Sequence, residues 1–254
     1  MSQWALVTGA TAGIGESYTR LLAHHGYNIT LVARDKERLE ERAKNLRETY
    51  KVETFVIQAD LSTESGSFAV EKYLQDHDVE ILINNAGFGI NKAFTKSELN
   101  HEQELLDVLV RVPLRLTHIA LKKMKERDSG IIINVSSVAS FIAGGTYSAA
   151  KSYLTVLSES LNTELSGTNV RITALCPGFT RTEFHQRGRM KMSGLPPFLW
   201  LKADYVVEQG WKDALAGKAV SIPSRRYQLI SFIARYAPRP LVRKIGMNLR
   251  TKQR

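Results

Sequence analysis

Trp4-Ala5-Leu6-Val7-Thr8-Gly9-Ala10-Thr11-Ala12-Gly13-Ile14-Gly15 runs from a short apolar stretch through a glycine-spaced turn into residues at helical spacing. The stretch predicts a strand over 4–8 and a helix over 13–25, with glycines at 9, 13 and 15 at the junction. A turn of this composition lets backbone N–H groups and the positive end of a helix converge on one point, as a pyrophosphate requires. Glycines also serve tight turns and close helix–strand packing. The placement at the first strand–helix junction is what favours a nucleotide.

The same alternation continues outward. Apolar, β-branched runs at 28–33, 53–58, 81–84, 131–136, 171–176 and, more weakly, 219–222 predict further strands. Helical spacing falls at 36–50, 64–77, 101–127, 147–165 and 204–215. Several strand runs are continuously hydrophobic, the pattern of strands buried on both faces. Repeated β–α units of this length predict an α/β fold, a doubly wound, Rossmann-type and mostly parallel sheet with helices on both faces. The expected organisation is a catalytic domain over 1–222 followed by a basic helical extension over 223–254.

The 254 residues are 43% hydrophobic and 24% charged, which excludes wholesale disorder and low-complexity architectures. A single cysteine, Cys176, excludes an intrachain disulfide framework and fits a reducing, cytoplasmic setting. No run approaches a membrane-spanning length, and no signal-peptide pattern opens the chain. The six histidines are scattered without metal-ligand spacing, so no metal is expected. The net charge of +10 is concentrated: from Lys218 to Arg254 there are ten Lys or Arg and no Asp or Glu. That asymmetry suggests an anionic partner for the tail.

Thr8–Gly15 resembles the TGxxxGIG coenzyme loop of short-chain dehydrogenases/reductases. The resemblance continues through Asn84-Asn85-Ala86-Gly87, Ser137, Tyr147-Ser148-Ala149-Ala150-Lys151 and Pro177-Gly178, in the family's order from about residue 6 to 222. It implies coenzyme contacts from Gly9, Thr11, Gly13, Ile14, Gly15, Asp60, Leu61, Asn84, Ala86 and Gly87. After the sixth strand, Pro177, Gly178, Thr180 and Thr182 correspond to the segment that holds the nicotinamide. Asn84 has a structural alternative. At the end of the second strand, Ala33 stands where an acid would bind the ribose of NAD, and Arg34 follows it. This favours NADP(H) over NAD(H), because a guanidinium pairs with a 2′-phosphate; Asp35 also suits a helix cap.

Tyr147 and Lys151 lie four apart and project from one helical face. The resemblance counts Tyr147 and Lys151 among the coenzyme contacts, with Tyr147 the general acid in carbonyl reduction and Lys151 the ligand of the nicotinamide ribose that lowers the tyrosine pKa. Ser137 binds the substrate oxygen, with Ser136 and Ser140 as competing candidates. Two departures stand out. The 141–146 loop is shorter than the family pattern. Leu109 also occupies the position of an asparagine that completes a proton relay in many relatives. The expected activity is reduction of a carbonyl to an alcohol, or the reverse, on a hydrophobic or lipid-like ketone. The alternative is a catalytically weak NADP-binding sensor or scaffold.

The irregular stretch 177–202, with apolar residues at 195–201, reads as a lid or as a surface excursion. In the tail, Leu229, Phe232, Ile233 and Tyr236 recur at helical spacing, and Leu241, Ile245 and Leu249 form a weaker stripe. A basic amphipathic helix suits an anionic membrane surface, and packing on the body or on another subunit is the alternative. No nucleic-acid recognition module is present. The resemblance implies a homo-oligomer.

Overall fold

A computed structural model describes residues 3–188 and 196–243. Seven parallel strands form one sheet: β1 (Trp4–Thr8), β2 (Asn28–Ala33), β3 (Thr54–Gln58), β4 (Ile81–Asn84), β5 (Gly130–Val135), β6 (Val170–Leu175) and β7 (Val220–Ser221). Their spatial order is β3-β2-β1-β4-β5-β6-β7. The winding direction reverses between β1 and β4, which opens a crevice at the carboxyl ends of those two strands. Every residue of β4 is buried, as the continuous Ile81–Asn84 run requires of a central strand.

Helices α1 (Gly13–His24), α2 (Lys36–Tyr50) and, later in the chain, α8 (Ala203–Leu215) cover one face. There Tyr18, Leu22, Leu39, Val206 and Trp211 pack on Ala5, Val7, Ile29 and Leu31. The other face carries α3 (Glu64–Asp76), α5 (Val112–Glu126) and α6 (Thr146–Glu164). Val70, Leu74, Leu116 and Met124 pack there on Leu6, Leu82, Ile132 and Ile172. The alternation of the two sets along β1 is the period-two geometry of a strand buried on both sides.

The predicted helix over 101–127 is broken. It consists of α4 (Leu99–Leu106), a wider π-helical turn over Asp107–Arg111, and α5. Pro113 accounts for the break. It lacks the N–H that would bond the Leu109 carbonyl one turn earlier, so the backbone widens there. The other elements end within a residue or so of expectation. A short α7 (Phe184–Arg187) interrupts the 177–202 stretch, and α9 (Arg225–Tyr236) follows β7, stopping before Pro238. Leu195, Ile245 and Leu249 lie outside the described residues.

Candidate active site

The glycine loop is built for close approach. Gly9 and Gly13 adopt left-handed backbone conformations, φ +67° and +58°, which only glycine takes without strain. A Cβ at Gly15 would lie 2.2 Å from the Gly9 carbonyl oxygen. The loop is tied down from two sides: the Gly9 amide donates to the Val32 carbonyl at 2.8 Å, and Asn85 Nδ2 donates to the Thr8 and Gly9 carbonyls at 2.9 and 3.2 Å. Thr8 Oγ1 in turn accepts from the amides of Asn85 and Ala86. The first turn of α1 is uncapped, since its N-cap residue is Ala12. By contrast, Asp35 caps α2 and Thr63 caps α3. Open donors at the mouth of the crevice suit an anionic pyrophosphate. Glu16, the acid in the first turn of α1, is neutralised by Arg20 at 3.2 Å and Arg42 at 3.4 Å.

At the far end of β2, Arg34 is exposed and Asp35 takes its capping role, so the two readings of that dipeptide hold together. Burial pushes the Asp60 carboxyl up. Ser62, through hydroxyl and amide, and the Arg34 charge outweigh that and hold it below its usual range. The Leu61 side chain is buried in the core. Arg38, not singled out from sequence, grips Glu183 through both guanidinium nitrogens at 3.1 and 2.8 Å and also donates to the Thr11 carbonyl. It straps the segment beyond β6 across the glycine loop. Its place one turn into α2, after Arg34, is the signal that was available.

Asn84 turns inward. Its Nδ2 donates to Thr117 Oγ1 and Asn134 Oδ1, so its side chain holds helix to sheet. Ala86 and Gly87 line the crevice end of β4. Beyond β6, the Pro177 carbonyl accepts from the Val138 amide at 3.0 Å, and Thr180 Oγ1 donates to the Gly178 carbonyl. Thr182 abuts Gly13, where a Cβ would meet it at 2.8 Å. Gly178 is pressed against the Tyr227 ring, leaving no room for a side chain. Tyr227, at the start of α9, accepts from the Phe179 amide and donates to the Leu199 carbonyl. The tail therefore braces this segment, a role invisible until the fold places it. The excursion is pinned where it leaves and returns: Leu201 N donates to the Phe179 carbonyl and Arg181 N to the Leu201 carbonyl, at 2.8 and 2.9 Å. Leu201 docks on the core, Phe198 is exposed, and Phe184 lies 5.9 Å from the Tyr147 ring.

The carboxyl end of β5 and the start of α6 bring Ser137, Tyr147 and Lys151 together. The Ser137 hydroxyl accepts from the Ala139 amide and lies near enough to the Tyr147 hydroxyl to pull its pKa down. Ser136, the competing candidate, is spent on the Lys151 carbonyl and Thr155. Ser140 and Thr155 face the buried Cys176 thiol, which burial pushes up and makes unreactive. Lys151 Nζ donates to the Val135 carbonyl at 2.6 Å and lies 5.8 Å from the centre of the Tyr147 ring. Burial drives Tyr147 up to about 12, against the opposing pull of Ser137. It also drives Lys151 down to about 8. The lowering pull on Tyr147 comes from Ser137, while the Lys151 amine turns to the Val135 carbonyl. Among the described residues no group of His, Cys, Asp and Glu could hold a metal.

A model of the short chain dehydrogenase family matches residues 3–192. The chain belongs to the short-chain dehydrogenase/reductase family. Among curated proteins it is 36% identical over 181 residues to hydroxysteroid dehydrogenase-like protein 1 of Gallus gallus, covering 69% of this chain and 55% of that one. It is 34% identical to inactive hydroxysteroid dehydrogenase-like protein 1 of Homo sapiens, covering 71% and 56%. The very-long-chain 3-oxoacyl-CoA reductase-A of Danio rerio shares 32% over 72% of this chain and 60% of that protein. The match thus spans little more than half the length of these relatives. A short-chain dehydrogenase from Sphingobium yanoikuyae, solved with NADPH, superposes with a TM-score of 0.84 at 29% identity, covering 99% of this chain and 96% of that one.

Within this short-chain dehydrogenase/reductase, Leu109 sits at the middle of the π-helical turn. Its side chain is 1% exposed and packs with Leu105 and Ala150, against Phe88, Ile90 and Tyr147. A Cβ on Gly87 would lie 2.7 Å from it and 3.9 Å from Lys151 Nζ. Apolar groups therefore wall this side of Lys151, and the Val135 carbonyl takes its hydrogen bond instead. A pH dependence follows. Burial sets Tyr147 to titrate well above Lys151, so the charge of Lys151 is expected to decide the alkaline limb of oxidoreductase turnover. We expect kcat/KM, which reports the free enzyme, to fall above about pH 8 as the buried amine loses its proton. A profile level to about pH 10, where an ordinary lysine titrates, would show the ammonium is not needed.

Proposed function

We propose that this protein is an NADP(H)-dependent carbonyl reductase, or its reverse, acting on a hydrophobic ketone. The observation that carries the reading is the convergence of Ser137, Tyr147 and Lys151 beside the uncapped start of α1. Bound NADPH would supply the hydride. Ser137 holds the substrate oxygen and polarises the carbonyl; the Tyr147 hydroxyl gives its proton to that oxygen as charge develops there. Lys151 would hold the nicotinamide ribose, and the backbone at Gly178 and Thr180 with the Thr182 hydroxyl would orient the nicotinamide. Arg34, exposed at the end of β2, would supply positive charge for a 2′-phosphate, with no acid in the place of Ala33. The apolar surround of Tyr147, formed by Phe184, Ile90 and Leu109, suits an apolar substrate. A Comamonas testosteroni structure described as a bulky-bulky ketone specific alcohol dehydrogenase, at TM-score 0.79 and 29% identity, lends this class support.

One observation favours a second reading. The apolar plug at Leu109, together with relatives named inactive, fits a weakly active coenzyme sensor. Titrating NADPH and NADH by fluorescence, then following NADPH oxidation across ketones of rising chain length, separates the two. The expected result is binding of NADPH about tenfold or more tighter than NADH, one charge-assisted pair being worth that factor, and turnover that climbs with chain length. Tight binding without turnover on any ketone would favour the sensor. A homo-oligomer in the reducing cytoplasm is the expected setting, and light scattering reads the mass.

A further inference from the structure

We propose that the outward face of α9 docks this protein on an anionic lipid surface. The helix is apolar on two sides. Its inner side is accounted for: Tyr227, Ser231 and Ala234 are buried, and Ala234 packs with Phe141, Ala174 and Cys176. Its outer side presents Leu229, Phe232, Ile233 and Tyr236, 61, 60, 53 and 75% exposed, with Ile230 beside them. These residues recur at i, i+3, i+4 and i+7 and form one stripe facing solvent. A contiguous exposed stripe of this kind marks an interaction surface.

Charge selects the occupant. Arg225, Arg239 and Arg243 are exposed around the stripe, and no Asp or Glu occurs from 218 onward. The acid that approaches from the body, Glu159, is paired with Arg235 at 3.0 Å, and that guanidinium lies 4.6 Å from the Phe141 ring on the inner side. Arg226 donates to the Phe198 carbonyl and stacks on its ring, so the exposed Phe198 extends the apolar surface. A second copy of the same face, related by a two-fold axis, would set these arginines against each other. Lipid headgroups attract them, and the acyl region takes the aromatic and aliphatic side chains. Because Tyr227 brackets Phe179 and Leu199, the docked face borders the substrate side of the site. A hydrophobic ketone would then enter from the lipid, a corollary that rests on the proposed activity, whereas docking itself does not.

Truncating α9 is unsuitable as a test, since it removes Tyr227 from beneath Gly178. The full chain and a Phe232→Ser/Ile233→Ser variant, which leaves the inner side intact, are instead sedimented with vesicles. One set is phosphatidylcholine alone and the other contains phosphatidylglycerol. The expected result is co-sedimentation of the wild type with the anionic vesicles only, weakened by salt, and a loss of about tenfold or more in the variant. Unchanged thermal melting and NADPH binding show that the variant is folded. Equal sedimentation of the two proteins, or none with anionic vesicles, overturns the proposal. A variant whose light-scattering mass drops while vesicle binding is unchanged assigns the face to a second copy. None of these readouts depends on turnover.

Discussion

Tyr147→Phe is expected to lower kcat for ketone reduction by about 10²–10⁴-fold, the range for losing a positioned general acid. NADPH affinity should fall far less than kcat, since Tyr147 is one coenzyme contact among many. The substitution is well isolated. The ring keeps its packing against Phe184 and the Leu105–Leu109 cluster, and Ser137 keeps its bond from the Ala139 amide. Only the hydroxyl is lost. Steady-state turnover with a parallel NADPH titration measures both quantities. If the variant turned over like wild type, the proton would have to come from elsewhere and Tyr147 would lose its assigned role.

Gly15→Ala should have a comparable effect through binding. The added Cβ would meet the Gly9 carbonyl oxygen at 2.2 Å and Asn85 Nδ2 at 2.4 Å. Neither neighbour is able to retreat: Gly9 is held by Val32, and Asn85 by the Thr8 and Gly9 carbonyls. The loop must therefore move, costing about 1–3 kcal/mol of overpacking. Its N–H groups would then lose their alignment on the pyrophosphate. The expected outcome is a lower melting temperature and NADPH binding weakened well beyond tenfold by fluorescence titration. Gly26→Asn is the control, because nothing lies near the missing side chain of Gly26, whose left-handed backbone at φ +84° suits Asn. Unaltered NADPH affinity in Gly15→Ala would mean that the loop is not where the coenzyme sits.

The sheet was legible because its strands are buried on both faces, which imposes continuous apolar runs such as 81–84 and 131–136. The break at 107–111 was not, because a proline early in a helix leaves the amphipathic pattern on either side in phase. Candidate residues fixed by motif spacing, Ser137, Tyr147 and Lys151 among them, do converge. Those whose roles depend on distant partners were missed. Asn85 acts on a loop from a strand far away in the chain, Arg38 grips a segment nearly 150 residues later, and Tyr227 reaches back from what reads as a tail. Asn84 reads from sequence as either a coenzyme contact or a structural residue, and its amide faces Thr117 and Asn134, a structural role that only the fold displays.

The first turn of α1 has a consequence for how long the chain survives. Asp35 and Thr63 each complete their own helix at all times, whereas Ala12 leaves α1 to be completed by whatever anion arrives. A ligand that joins only the native state shifts the unfolding equilibrium by mass action, by about 2.7 kcal/mol at a hundred times its dissociation constant. Resistance to proteolysis then follows the supply of that ligand: a chain starved of it opens more often and is degraded sooner, without any change to its covalent structure.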